Sequence, residues 1–426
     1  MVEAVVRPRH FAMPPELVRR DTGDLSVESR HARAQASAIL ADLLPARPVR
    51  PRLVASAGGT VTRMMLTVPA YAVGSPPLAA AYRDLLAKLP AQTSYLVLAH
   101  ESVADTVRGW SDRIDVVAAP EHLRFSVWAE DGYAAVVDGG TTYLVEPFSF
   151  PRYGDSLTAD LLANADPALE RTQAPLYFQG GNILIGDDFF LIGADYPVNT
   201  LRYVGAVLAP GPDERPADLV RRLYGEYLDP DRRLIYVGST LPVPEQHIGR
   251  ITIDGAQWTE ILYAGNSPGT LQPIFHIDMF ITLAGRGADG RYRLLVGDPR
   301  AAADILGIQM PAHAMSQVFD DIAQGLRRQG FDVLRNPLPL AYADDLDRKE
   351  RSWYFATANN ALVSDGVVYL PTYGHGSWPE LAATDQANGQ IWTELGFQVV
   401  YLTDYHPFAE NLGAVHCIKK YLSRSE

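Results

Sequence analysis

Cysteine is almost absent from this chain: Cys417 is the only one in 426 residues. A lone thiol cannot close an intramolecular disulfide, so no covalent staple holds the fold, and the scarcity suits a reducing compartment. Long apolar runs are missing as well, none reaching the roughly 20 residues of a membrane-spanning helix. The first twenty residues carry Arg7, Arg9, Arg19 and Arg20 but no apolar core of a secretory signal, so a cytoplasmic location is expected, with no membrane partner. Excess basic charge is also lacking. The formal net charge is −13, which argues against a nucleic-acid partner, whereas a negative cleft would concentrate a cationic substrate. Lysine is confined to Lys88, Lys349, Lys419 and Lys420, a bias that reads as genome composition without functional weight.

What is present suits a globular protein with a sizeable core: 47% hydrophobic and 20% charged residues. Residues 1–55 read as an N-terminal extension. Within it, residues 27–44 place Ala32, Ala36, Ile39, Leu40 and Leu43 at helical spacing, which predicts one amphipathic helix. Arg47-Pro48-Val49-Arg50-Pro51-Arg52 then reads as a linker.

Over residues 56–426 a unit of helix, strand and hairpin recurs five times. The first copy has a strand at 95–99, a helix at 101–110, a strand at 114–118 and a hairpin over 133–145. The second has a helix from 156 to about 164, a strand at 176–185 and a partner at 189–192. The third has a helix at 217–227, a strand at 234–237, an irregular insertion over 238–271, and strands at 279–283 and 292–296. The fourth runs through a helix at 315–329 and strands at 331–334, 353–363 and 367–370. The fifth has a helix at 380–395 and strands at 397–402 and 415–421. Asp or Gly stands in each hairpin turn, where positive φ is needed, and each helix can bury only one face. The expected fold is therefore α/β, with the units stacked radially as a closed five-bladed propeller. A doubly wound parallel sheet fits less well, because parallel strands need crossovers and not hairpins.

Four stretches carry the residue types of catalysis. They are Trp128-Ala129-Glu130-Asp131, Gly180-Gly181-Asn182, His276-Ile277-Asp278 and Gly413-Ala414-Val415-His416-Cys417. Taken singly each has an ordinary reading. Cys417 would be a buried small hydrophobe, His276 a satisfied core histidine, and Asp131 and Asp278 turn caps. The glycines would mark a close backbone approach. Aligned on the repeats, however, they fall at comparable places and would converge on one pocket. His416 is assigned to packing, because neighbours on a regular strand face opposite ways. His375 is a candidate for the rim, and no His/Cys cluster has metal-ligand spacing.

In this order, the four stretches resemble the motifs of the agmatine deiminase and bacterial peptidyl-arginine deiminase family, of the guanidino-group-modifying superfamily. The stretches Ala358-Asn359-Asn360-Ala361 and Val367-Val368-Tyr369-Leu370-Pro371-Thr372 resemble its fourth unit, and the likeness covers about residues 60–426. It implies a five-bladed α/β propeller that hydrolyses a guanidinium to a ureido group and ammonia without metal or cofactor. Cys417 would be the nucleophile and His276 the acid/base, with Asp131 and Asp278 clamping the guanidinium through paired N–H bonds. Trp128 and Asn182 would line the pocket. Many members carry Trp-x-Arg-Asp. Here Glu130 replaces the arginine, so it either faces solvent or makes the pocket more acidic. Arg152, after the first hairpin, is expected on the rim as a reader of a substrate carboxylate, and 238–271 as a lid. Partners would be a small guanidino compound or an arginine peptide, and a homo-oligomer is compatible. Amidino transfer to an amine and silent guanidinium binding remain alternatives.

Overall fold

Asp-Gly and Gly-Gly pairs turn the hairpins from which the sheets are built. Gly139 and Gly140, at φ 56° and 88°, fold strand Ala134–Asp138 back on Thr141–Glu146. Asp365 and Gly366, at 43° and 74°, do so between Leu362–Ser364 and Val367–Thr372. Two successive left-handed residues give the turn whose twist matches paired strands. The computed structural model describes residues 5–18, 47–148, 150–204 and 211–425; the helix expected over 27–44 lies outside them.

The chain divides into two units. One gathers the described part of Met1–Val18 with Gly74–Lys88 and Gly238–His416, the other the described part of Arg19–Val73 with Leu89–Val237 and Cys417–Glu426. Among the described residues one sheet pattern occurs five times: an antiparallel pair whose second strand takes a parallel third. The second unit has it in Ala134–Asp138, Thr141–Glu146 and Leu169–Gln173, and in Ile183–Ile185, Phe189–Gly193 and Arg233–Val237. It has it again in Lys419–Arg424, Val61–Val68 and Ser94–His100, joined from the two ends of the chain. The first unit has it in Ile281–Arg286, Tyr292–Asp298 and Asp332–Pro337, and in Leu362–Ser364, Val367–Thr372 and Gln398–Asp404.

Hairpins and parallel pairing thus coexist in four of the five sheets. The parallel step requires a crossover, and helices supply it: Thr158–Ala165, Asp195–Val204 with Pro216–Tyr227, Pro299–Leu306 with Ser316–Arg328, and Ala382–Glu394. Ala382–Glu394 turns a largely polar face inward, burying Thr384, Asp385, Asn388, Gly389 and Trp392. Ser316–Arg328 buries Val318, Phe319, Ile322, Ala323 and Leu326, at the spacing of a single stripe. Pro76–Lys88 was not expected as a helix, nor were two of the crossover helices, Asp195–Val204 and Pro299–Leu306. The last carries plain punctuation: Asp298 accepts from the N–H groups of Arg300 and Ala301, Pro299 opens the helix, and Gly307 at φ 62° closes it. Among the described residues no helix is long and apolar enough to cross a membrane.

The segment read as an irregular insertion is regular. His247–Ile253 and Ala256–Leu262 form a hairpin turned by Asp254 and Gly255 (φ 48° and 75°). Ala256–Leu262 pairs in parallel with Glu350–Phe355, which pairs with the unexpected strand Leu340–Asp345. The expected single strand over 353–363 is likewise two, Glu350–Phe355 and Leu362–Ser364.

The N-terminal segment is part of the first unit. Arg9 N–H donates to the Asp344 carbonyl (3.1 Å) and Asp344 N–H to the Arg7 carbonyl (2.8 Å). The His10 ring stacks on Trp378 (5.2 Å) and His406 (5.8 Å), with Nδ1 3.0 Å from Glu410 and Nε2 3.4 Å from Asp404. Burial alone would lower the His10 pKa, but the two carboxylates outweigh it and raise it to about 10. Burial holds the neighbouring His406 down at about 3 and raises Glu410. A histidine pKa raised by folding adds stability that is full below about pH 6.5 and fades toward pH 10. Relative to His10→Gln, the wild-type melting temperature should therefore fall as pH rises from 6.5 to 10. Parallel curves for the two proteins would refute the pairing.

Candidate active site

The stretch from Phe275 to Phe280 makes one turn of 3₁₀ helix, Ile277–Met279, before strand Ile281–Arg286. His276 enters that turn in an extended conformation, and both His276 and Asp278 are buried. Asp278 Oδ2 lies 2.9 Å from His416 Nδ1. Asn360 fixes both partners. Its Nδ2 donates to the Asp278 carbonyl (3.3 Å), its Oδ1 accepts from Ala414 N–H (3.1 Å), and its carbonyl accepts from His416 N–H (3.1 Å). This corrects the assignment of His416 to packing. Residues 415–418 are a turn and the strand begins only at Lys419, so the alternation rule does not apply to His416 and Cys417. Cys417 is buried and forms no disulfide.

The second unit, which includes Cys417, holds the other candidates. Trp128 to Asp131 form a turn in which Asp131 N–H donates to the Trp128 carbonyl (3.3 Å), and Glu130 N–H donates to the Cys417 carbonyl (3.1 Å). Glu130 neither faces solvent nor leaves the site more acidic. It is buried, and its two oxygens accept from Lys419 Nζ and Lys420 Nζ, each at 2.8 Å. Burial pulls Lys420 below the usual lysine range, and Glu130 opposes that fall. Two of the four lysines thus have a structural task, which composition alone does not convey.

Arg152 is not on a rim either: its side chain is 3% exposed. Nη2 donates to Asp131 Oδ2 at 2.8 Å, Nε pairs with Asp155, and the guanidinium lies 5.0 Å from the Phe150 ring. Asp155 in turn accepts from the N–H and hydroxyl of Ser126, each at 2.6 Å. Burial alone would lower the Arg152 pKa, but Asp155 and Asp131 hold it above the ordinary value. Three carboxylates (Glu130, Asp131, Asp155) therefore face three cations (Arg152, Lys419, Lys420), and this cluster carries no formal net charge.

Gly180-Gly181-Asn182 is a buried 3₁₀ turn, and Gly180 N–H donates to the Asp131 carbonyl (3.2 Å). A Cβ on Gly180 would stand 1.9 Å from the Glu130 carbonyl oxygen and 2.5 Å from Lys420 Nζ. Gly180→Ala should cost about 1–3 kcal/mol by overpacking, read as a lowered urea midpoint; an unchanged midpoint would show that the turn can yield. Asn182 is fully buried and Trp128 nearly so. His375 Nε2 is 2.7 Å from Thr372 Oγ1.

No family model and no curated protein sequence matches this chain. Solved structures do. C. jejuni agmatine deiminase with substrate bound is 13% identical, with a TM-score of 0.57 over 85% of this chain and 93% of that one. Agmatine deiminase of Enterococcus faecalis is 13% identical, with a TM-score of 0.55 over 88% and 96%. At such identity the likeness is one of architecture, and this chain has the mixed α/β fold of the agmatine deiminases.

Proposed function

We propose that the protein hydrolyses the guanidinium of a small cationic substrate to a ureido group and ammonia, with Cys417 as nucleophile. The observation that carries the reading is the buried thiol of Cys417, in no disulfide, directly after a histidine held on a buried carboxylate. Likeness to the agmatine deiminase fold supports it. In this reading the five equivalent sheets are the blades of a five-bladed α/β propeller.

The chemistry assigns a task to each residue type. A guanidinium keeps its charge at any working pH, so a dry site must supply a carboxylate in compensation. The cluster around Asp131 is already neutralised by Arg152 and the lysines, which leaves Asp278 as the principal counter-charge and makes Asp131 a second, geometric acceptor. The Cys417 thiolate adds to the guanidinium carbon. His276 protonates the departing nitrogen, the C–N bond breaks, and ammonia leaves behind an S-alkylthiouronium. His276 then takes a proton from water, whose oxygen adds to the same carbon; the C–S bond breaks and the thiolate is restored.

The test incubates the full chain separately with agmatine, free arginine and an arginine peptide. Ammonia and a ureido product, formed without any added amine, are expected from at least one of them. Product only in the presence of an acceptor amine would mean amidino transfer, and binding without turnover would mean a binder; either result overturns the proposal.

A further inference from the structure

The loop that carries His416 and Cys417 is held from two sides, and one of them is the N-terminal segment. Glu410, whose side chain has no exposed surface, accepts from His10 N–H (2.8 Å) and lies 3.0 Å from His10 Nδ1. Asn411 interleaves with the same segment: its Oδ1 accepts from Met13 N–H (3.0 Å) and its Nδ2 donates to the Phe11 carbonyl (2.9 Å). On the far side Asn360 holds the backbone N–H groups of Ala414 and His416. Between the two clamps stands Leu412 at φ 68°. That left-handed conformation is unfavourable for a branched side chain and persists only where the surroundings over-determine it. The segment has its own anchorage: Pro8 bridges Asp344, Arg9 N–H donates to the Asp344 carbonyl, and His10 stacks on Trp378.

We propose that residues 7–13 act as a positioning strap, fixing Glu410 and Asn411 so that the strained turn at Leu412 delivers His416 to Asp278 and sets the place of the next residue, Cys417. Without the strap, Leu412 is free to relax to negative φ, and everything from Gly413 onward shifts. His10 and Asn411 are positioning residues: they act through the loop and touch no substrate. The proposal rests on the reading of Cys417 as nucleophile, but its first test is independent of turnover.

The chain has a single cysteine, so iodoacetamide reports on that thiol alone. Wild type, His10→Ala, Asn411→Ala and the milder His10→Gln are alkylated well below their melting temperatures, and kcat and KM are measured on whichever guanidino substrate the wild type consumes. The alanine variants should change the alkylation rate by about tenfold or more, and lower kcat by a similar factor with KM little altered, since small misplacements cost steeply in rate. His10→Gln, which keeps the backbone donor and a side-chain donor, should fall between them and the wild type. If all three variants alkylate and turn over as the wild type does while their melting temperatures drop, the segment is mere ballast and the proposal is wrong. If the wild type hydrolyses no guanidino compound, the functional reading fails, yet the alkylation series still decides the strap.

Discussion

Cys417→Ala is expected to abolish turnover, by a factor of about 10⁴ or more, and to leave the fold standing. Removing the nucleophile of a covalent mechanism removes the whole two-step route, and the residual rate comes only from binding and orientation. The structural cost is small by comparison. The thiol sits in a buried turn, and losing one sulfur there amounts to about 1 kcal/mol of packing and cavity cost. The two measurements should therefore separate, with activity gone and the urea midpoint close to the wild type. Acid-quenched wild-type enzyme gives a second check. Mass spectrometry should find, on the peptide containing Cys417, an adduct equal to the substrate less one ammonia, and the alanine variant should show none. A variant that kept full turnover would remove Cys417 from the mechanism.

How far the sequence could be read is clearest at residues where one physical rule decides the outcome. Asp138-Gly139-Gly140 and Ser364-Asp365-Gly366 require left-handed backbone, and the hairpins stand there. The Asp254-Gly255 turn is as strong a signal, preceded by the alternating Ile251-Thr252-Ile253. Reading 238–271 as one long connector hides it. His416 departs from expectation for a different reason: alternation holds only on a strand, and the strand starts three residues later, at Lys419. Glu130 lies beyond local rules altogether, and so does Arg152 apart from its pairing with Asp155 three residues on. The distant partners lie 289 and 290 residues away for Glu130, and 21 for Arg152. Only burial makes such charges seek each other, because an unpaired charge in the interior is costly. The rarity of lysine was the one available hint. In a chain that uses arginine almost everywhere, two adjacent lysines just after the sole cysteine were worth asking about.

Arg152→Ala should destabilise the protein by about 3–5 kcal/mol, the cost of stripping one partner from a buried ion pair. The guanidinium bridges two carboxylates, Asp131 on one side and Asp155 on the other. Asp155 keeps its bonds from Ser126 in the variant, but Asp131 loses the cation that faces Oδ2. Arg152→Lys should recover little, because a point-charge ammonium cannot span two carboxylates as the planar fork does. An arginine reading a substrate carboxylate would behave otherwise. Its loss would leave the midpoint untouched and shift the preference between arginine, which has that carboxylate, and agmatine, which lacks it. A buried bridge predicts that turnover of both substrates falls together, because Asp131 is displaced for each. Urea unfolding alongside kcat/KM for the two substrates settles the matter: a wild-type midpoint with an altered ratio would return Arg152 to the substrate, and a lowered midpoint with an unaltered ratio would keep it in the wall.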